Sequence, residues 1–252
     1  MSLIAGLVLG ALAGWGAAVF WFSRRRGRDG RFLSFIAHEM SSPLASLHMT
    51  ILNFIQGVFG PPPKEHEPWL QLLKEQSSRL NFLMGGFQDF VHMEFRKDFW
   101  LHVESLDLAV LVRETVDGMK GSLDRSGARL ELDAAEGTPK ISGDRDRLQR
   151  VIASLLEYAK KFRAGGDIGV SVRPAGGGVE MEVRYQGRRI GPSEVAGMLS
   201  LYYPAQKPDS RLLPSAGLGL GICRKVVESH RGSMAMEVDD GGASRIRVVL
   251  PA

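Results

Sequence analysis

Between Gly30 and Phe59, apolar residues recur in steps of three and four, at Phe32, Ile36, Met40, Leu44, Leu47, Ile51, Phe54 and Val58. That spacing predicts one amphipathic helix. The stretch GPPPKEHEP interrupts it, because proline fixes φ and lacks the amide donor a helix interior needs. Helical spacing resumes at Trp69, Leu73, Leu80, Leu83, Phe87 and Phe90. The two helices are expected to form an antiparallel hairpin over residues 32–96. A lone hairpin leaves two apolar stripes uncovered, so dimerisation into a four-helix bundle is the simplest way to bury them.

The pattern changes past Leu101. Short runs with strand alternation (ARLELD, IGVSVRP, VEMEVRY, SRIRVVLP) alternate with helical stretches (LAVLVRETVDGMKGSL, DRLQRVIASLLEYAKKF, GICRKVVESH). Residues 106–252 therefore read as an α+β domain, an α/β sandwich with helices packed on one sheet. At the other end, Leu3 to Phe22 is uncharged and mostly apolar. A helix of about 20 residues spans roughly 30 Å, the thickness of the hydrocarbon core. Residues 3–22 are thus expected to be a single-pass transmembrane anchor, and 23–31 a basic juxtamembrane linker. The arginines of that linker (Arg24, Arg25, Arg26, Arg28, Arg31) favour the cytoplasmic face. This puts the later domains on the cytoplasmic side of an inner or cytoplasmic membrane. A secretory signal is the weaker alternative, since the basic residues follow the apolar run.

Composition adds little beyond this. The chain has 44% hydrophobic and 24% charged residues, which is ordinary for globular domains. Its net charge of +4 comes largely from the juxtamembrane arginines. Contact with anionic lipid accounts for them, and no nucleic-acid partner is expected. The single cysteine, Cys223, cannot form an internal disulfide and sits in an apolar run, as a small buried side chain would.

Candidate chemistry begins at His38, off the centre of the first helical seam and so facing outward. Glu39 adjoins it, and Ser42 lies one turn further along the same face. Pro43 removes the amide that the Glu39 carbonyl would accept from, which predicts a kink beyond the histidine. An imidazole can attack phosphorus while a carboxylate handles its proton and a hydroxyl positions a water or phosphate oxygen. His48, His66, His92, His102 and His230 show no arrangement of metal ligands or of a catalytic triad.

The stretch FLSFIAHEMSSPLASL resembles the phosphoacceptor box of sensor histidine kinases. The resemblance continues in order through GDRDRLQRVIASLLEYAKKF (asparagine box), VRYQGRRIGPSE (first glycine box), MLSLYY (phenylalanine box) and SAGLGLGICRKVVESHRGSM (second glycine box, then a helix). It implies that His38 is the phosphoacceptor, Glu39 the acid–base partner and Ser42 a residue supporting phosphate removal. It also implies an ATPase-like domain binding ATP and magnesium, with Lys161, Gly187, Gly217 and Gly219 at its nucleotide site.

The chain departs from that pattern where the family's ligands stand. Ser154 and Tyr158 occupy the two asparagine positions, the second of which holds magnesium in the family. Magnesium prefers carboxylate, amide or water oxygens, and tyrosine is a poor substitute. Tyr185 replaces the aspartate that reads adenine, and the bulk of Arg189, standing at a glycine position, is expected to fill nucleotide space. Ser215 replaces the first glycine of the second box, and Pro204 to Pro214 replaces the lid.

The expected function is two-component signalling as a homodimer, with phosphoryl groups passing between His38 and an aspartate of a response-regulator receiver domain, and with phosphate supplied from elsewhere than ATP. Two alternatives stay open at this point. One is an active ATP-dependent sensor kinase with unusual ligands. The other is a noncatalytic pseudokinase scaffold that pairs with another histidine kinase.

Overall fold

The computed structural model describes residues 34–96, 99–200 and 219–252. The expected anchor 3–22, the linker 23–31, the segment Pro204 to Pro214, Ser215 and Gly217 lie outside them. The chain divides into two units, Met1–Phe99 and Trp100–Ala252.

In the first unit, helix α1 covers residues 34–55 and helix α2 covers Glu67–Val91. Pro68 sits in the first turn of α2, where a missing amide costs nothing. Helix α1 continues through Pro43, so the loss of one donor does not break it. Polar links tie the helices together. Gln88 donates to the Ser41 hydroxyl at 2.8 Å, and His48 Nδ1 shares a 2.9 Å hydrogen bond with the buried Ser77 hydroxyl. Ala37, Ile51 and Val91 are buried, whereas Met40, Leu47, Phe54, Trp69, Leu73 and Leu80 of the expected seams are exposed.

The second unit is built on a five-stranded sheet. Its strands are β2 (Leu130–Ala134), β4 (Arg163–Ala175), β5 (Gly178–Gly187), β6 (Ser233–Val238) and β7 (Ala243–Pro251), in the spatial order β2-β4-β5-β7-β6. Only β2 and β4 run parallel. A separate antiparallel pair joins β1 (Glu104–Leu106) to β3 (Ile141–Gly143). Strand alternation sends Val170, Val172, Met181, Val183, Ile246 and Val248 into the core. Over that side pack helices α3 (Leu108–Arg125), α4 (Arg145–Phe162) and α6 (Leu220–Ser229), with α4 central. A short helix, α5 (Pro192–Met198), follows β5. Strands β1, β3 and β6 and helix α5 are elements the alternation did not predict.

Local chemistry fixes the helix starts. Asp107 caps α3 by accepting from the Ala109 and Val110 amides. Asp144 caps α4 by accepting from Arg147 at 3.1 Å, and it also accepts the His102 amide at 2.9 Å. Burial pulls the Asp144 carboxyl up, but the His102 and Arg147 amides and the Arg147 and Arg150 guanidinium groups outweigh it and hold the group below its usual range. His230, buried after α6, pins this corner. Its Nε2 accepts the Asp144 amide at 2.9 Å, so Nδ1 carries the hydrogen and donates to the Val226 carbonyl at 2.7 Å. Burial lowers its pKa, and the imidazole is neutral.

Candidate functional site

Helix α1 presents His38, Glu39 and Ser42 to solvent. His38 also borders a cavity of about 180 Å³ lined by Ser34, Ala37, Gln88, Val91 and His92. The carboxamide of Gln88 sets one wall of that cavity through its bond to Ser41, whose own hydroxyl returns to the Ala37 carbonyl at 2.7 Å. Ser41 therefore supports the helix pair, while Ser42, its neighbour, faces outward.

In the second unit, α4, β5 and α5 bring together the residues at the family's magnesium and adenine positions. Ser154 is fully buried; its hydroxyl faces the Cys223 thiol without a full hydrogen bond. Burial pushes that thiol up to about 12, more than the Ser154 hydroxyl lowers it, so Cys223 is the inert buried side chain expected. Tyr158, only 8% exposed, stacks at a tilt on Phe162 with centroids 4.5 Å apart. Its hydroxyl reaches the Met198 sulfur at 3.1 Å, tying α4 to α5. Tyr185, 5% exposed, meets Tyr158 edge-on at 6.3 Å. Burial raises the pKa of Tyr185, while hydrogen bonds with Ser244 and Tyr158 pull the other way. The positions of two hydrophilic ligands are thus joined in a buried aromatic cluster.

Gly187 belongs to that cluster. A Cβ there would lie 2.9 Å from Tyr185 Cε2 and 3.1 Å from the Phe162 carbonyl oxygen. The Tyr185 ring occupies the space a side chain would need, so packing alone requires glycine. Gly219 differs. It precedes α6 at φ −54° and ψ 146°, ordinary backbone, and no described atom lies within 4 Å of its would-be Cβ. Lys161 is half-buried, with its ammonium 5.3 Å from the Phe162 ring centroid. The side chain of Arg189 is 72% exposed and pairs with Asp240 in the β6–β7 turn at 2.6 Å. A guanidinium keeps its hydration there while gaining a partner, which burial against the tyrosines would deny it.

The described residues do not fit a magnesium nucleotide in the family's manner. No carboxamide or carboxylate stands at positions 154, 158 or 185, and the two tyrosines pack on each other.

A family profile described as Histidine kinase-, DNA gyrase B-, and HSP90-like ATPase matches residues 143–252. The sensor histidine kinase ZraS of Escherichia coli (strain K12) is 24% identical over 223 residues, covering 88% of this chain and 45% of ZraS. The alginate biosynthesis sensor protein KinB of Pseudomonas aeruginosa is 26% identical over 218 residues, covering 85% of this chain and 36% of KinB. The chain spans about half the length of the first relatives it matches. Full-length ShkA in complex with AMPPNP superposes with a TM-score of 0.62 at 20% identity, over 88% of this chain and 45% of ShkA. The Acinetobacter baumannii histidine kinase AdeS gives 0.54 at 20% identity, over 85% of this chain and 97% of AdeS. With an ATPase-type α+β domain following a helical hairpin that carries His38, the chain is similar to sensor histidine kinases over most of its length, and its residues 143–252 match the ATPase family profile.

Proposed function

We propose that this protein passes phosphoryl groups between His38 and an aspartate of a response-regulator receiver domain, and that its ATPase-type domain does not charge His38. The observation that carries this reading is the contrast between the two units. His38 is exposed beside Glu39 and Ser42, while the magnesium and adenine positions are occupied by a serine and two mutually packed tyrosines. Phosphoryl transfer from ATP depends on metal charge neutralisation and on nucleotide positioning. Transfer from an acyl phosphate needs only the nucleophile, a route for its proton and a docking surface.

The exposed Met40, Leu47, Phe54, Trp69, Leu73 and Leu80 support pairing of two hairpins into a four-helix homodimer. The apolar run 3–22 and the arginines after it support a single-pass anchor with the two units on the cytoplasmic side.

Calorimetry with magnesium ATP tests the divergent half of the reading. The native chain should give no binding heat, and restoring the family ligands in Tyr158→Asn with Tyr185→Asp should increase it. Rapid self-phosphorylation of the native chain from magnesium ATP would refute the proposal and establish an active sensor kinase instead.

A further inference from the structure

We infer that His92 is a second functional imidazole of the hairpin, binding the phosphoryl group carried by His38; this rests on the assignment of His38 above. The register of the two helices leads to it. Gln88 of α2 bonds to Ser41 and, at 3.4 Å, to the Ala37 carbonyl. In an antiparallel pair, the residue one turn beyond Gln88 on α2 faces the turn before Ala37 and Ser41 on α1. Those positions are His92 on one side and Ser34 and His38 on the other, and all three line the same cavity of about 180 Å³. Water takes up about 30 Å³ per molecule in the liquid, so this volume admits a phosphoryl group with room for solvent.

A second observation concerns the backbone. Regular α-helix ends at Val91, and His92–Arg96 forms a π-helical turn. Such turns are rare and recur at functional sites, where the widened backbone re-aims a side chain. Here the change of pitch begins at the residue that borders the cavity.

The transfer balances without any proton from His92. A ring nitrogen of His38 attacks phosphorus as the acyl P–O bond breaks, its electron pair returning to the receiver carboxylate. The proton on the other ring nitrogen of His38 passes to Glu39. His92 donates an N–H hydrogen bond to a phosphoryl oxygen. A donor to a charged oxygen that strengthens as the transfer proceeds contributes about tenfold in rate.

The test uses the full chain in detergent, phosphorylated by the small-molecule donor phosphoramidate, with labelling at His38 followed by mass spectrometry. His92→Ala should slow labelling of His38 about tenfold, and His92→Gln, which keeps an N–H donor, should recover most of the rate. The helical circular dichroism should match in all variants. Rates within twofold of native in His92→Ala, or a loss that His92→Gln does not restore, would overturn the inference while leaving His38 as acceptor. Phosphate on His92 itself would overturn it also, by making that residue an acceptor. Absence of label at His38 in the native chain would instead remove the reading on which the inference stands.

Discussion

Replacing Gly187 by alanine tests whether the Tyr185 ring occupies the space that an adenine-reading site would leave open. The added Cβ would sit 2.9 Å from Tyr185 Cε2 and 3.1 Å from the Phe162 carbonyl, both inside normal contact. The ring cannot swing away freely, since Tyr158 meets its edge at 6.3 Å and Tyr158 is itself held by Phe162 and Met198. Gly187 is not among the glycines with left-handed φ, so the cost is steric and not conformational. Overpacking of this kind costs about 2 kcal/mol, which corresponds to a fall of about 4–8 °C in Tm for a unit of this size. Urea unfolding followed by circular dichroism measures it, with an unchanged m-value. In a Tyr185→Ser background the ring is gone and only the Phe162 contact remains, so the same glycine-to-alanine change should cost less than about 1 kcal/mol. Equal costs in the two backgrounds would refute the packing argument, because Tyr185 would then not be what excludes a side chain at position 187.

Three further outcomes follow from the same geometry. His230 is neutral in the folded protein with its pKa lowered by burial, so its contribution is complete above about pH 6.5 and declines as pH falls below that value, where the unfolded chain takes up a proton first. Urea titrations between pH 7.5 and 5.5 should show this slope, and His230→Gln should flatten it; an identical slope in the variant would exclude His230 as its source. Arg231 stands at φ 60° just after α6, a conformation that disfavours any side chain, so Arg231→Gly should stabilise by about 1 kcal/mol, with a lower Tm counting against backbone strain. Ser154 has a fully buried hydroxyl without a full hydrogen bond, so Ser154→Ala should hold or raise stability by up to about 1 kcal/mol in thermal melts, and a loss above that would mean the hydroxyl is satisfied.

The elements legible in the sequence are those with a long apolar period. Helices α3, α4 and α6 and strands β4, β5 and β7 each repeat a buried position often enough to fix their type, and β2 alternates half-buried with exposed residues. Strands β1 and β3, of three residues each, are too short to show alternation. Strand β6 alternates too, with Met234 and Met236 buried between exposed neighbours, but methionine carries no strand preference that would mark the run. At the nucleotide positions the loss of ligand types was legible. The direction of each side chain was not: Tyr185 turns inward onto Gly187, whereas Arg189 turns outward to Asp240. His92 gave no local signal at all. Its place opposite His38 arises only from the pairing of α1 with α2, a tertiary fact set by contacts such as Gln88 to Ser41.

The most direct measurement of the central claim is transfer of labelled phosphate from a phosphorylated receiver domain to the full chain, run beside a reaction with labelled magnesium ATP. Label is expected on His38 from the receiver, with none in His38→Ala and none on the native chain from ATP. Label from ATP but not from the receiver would contradict the claim.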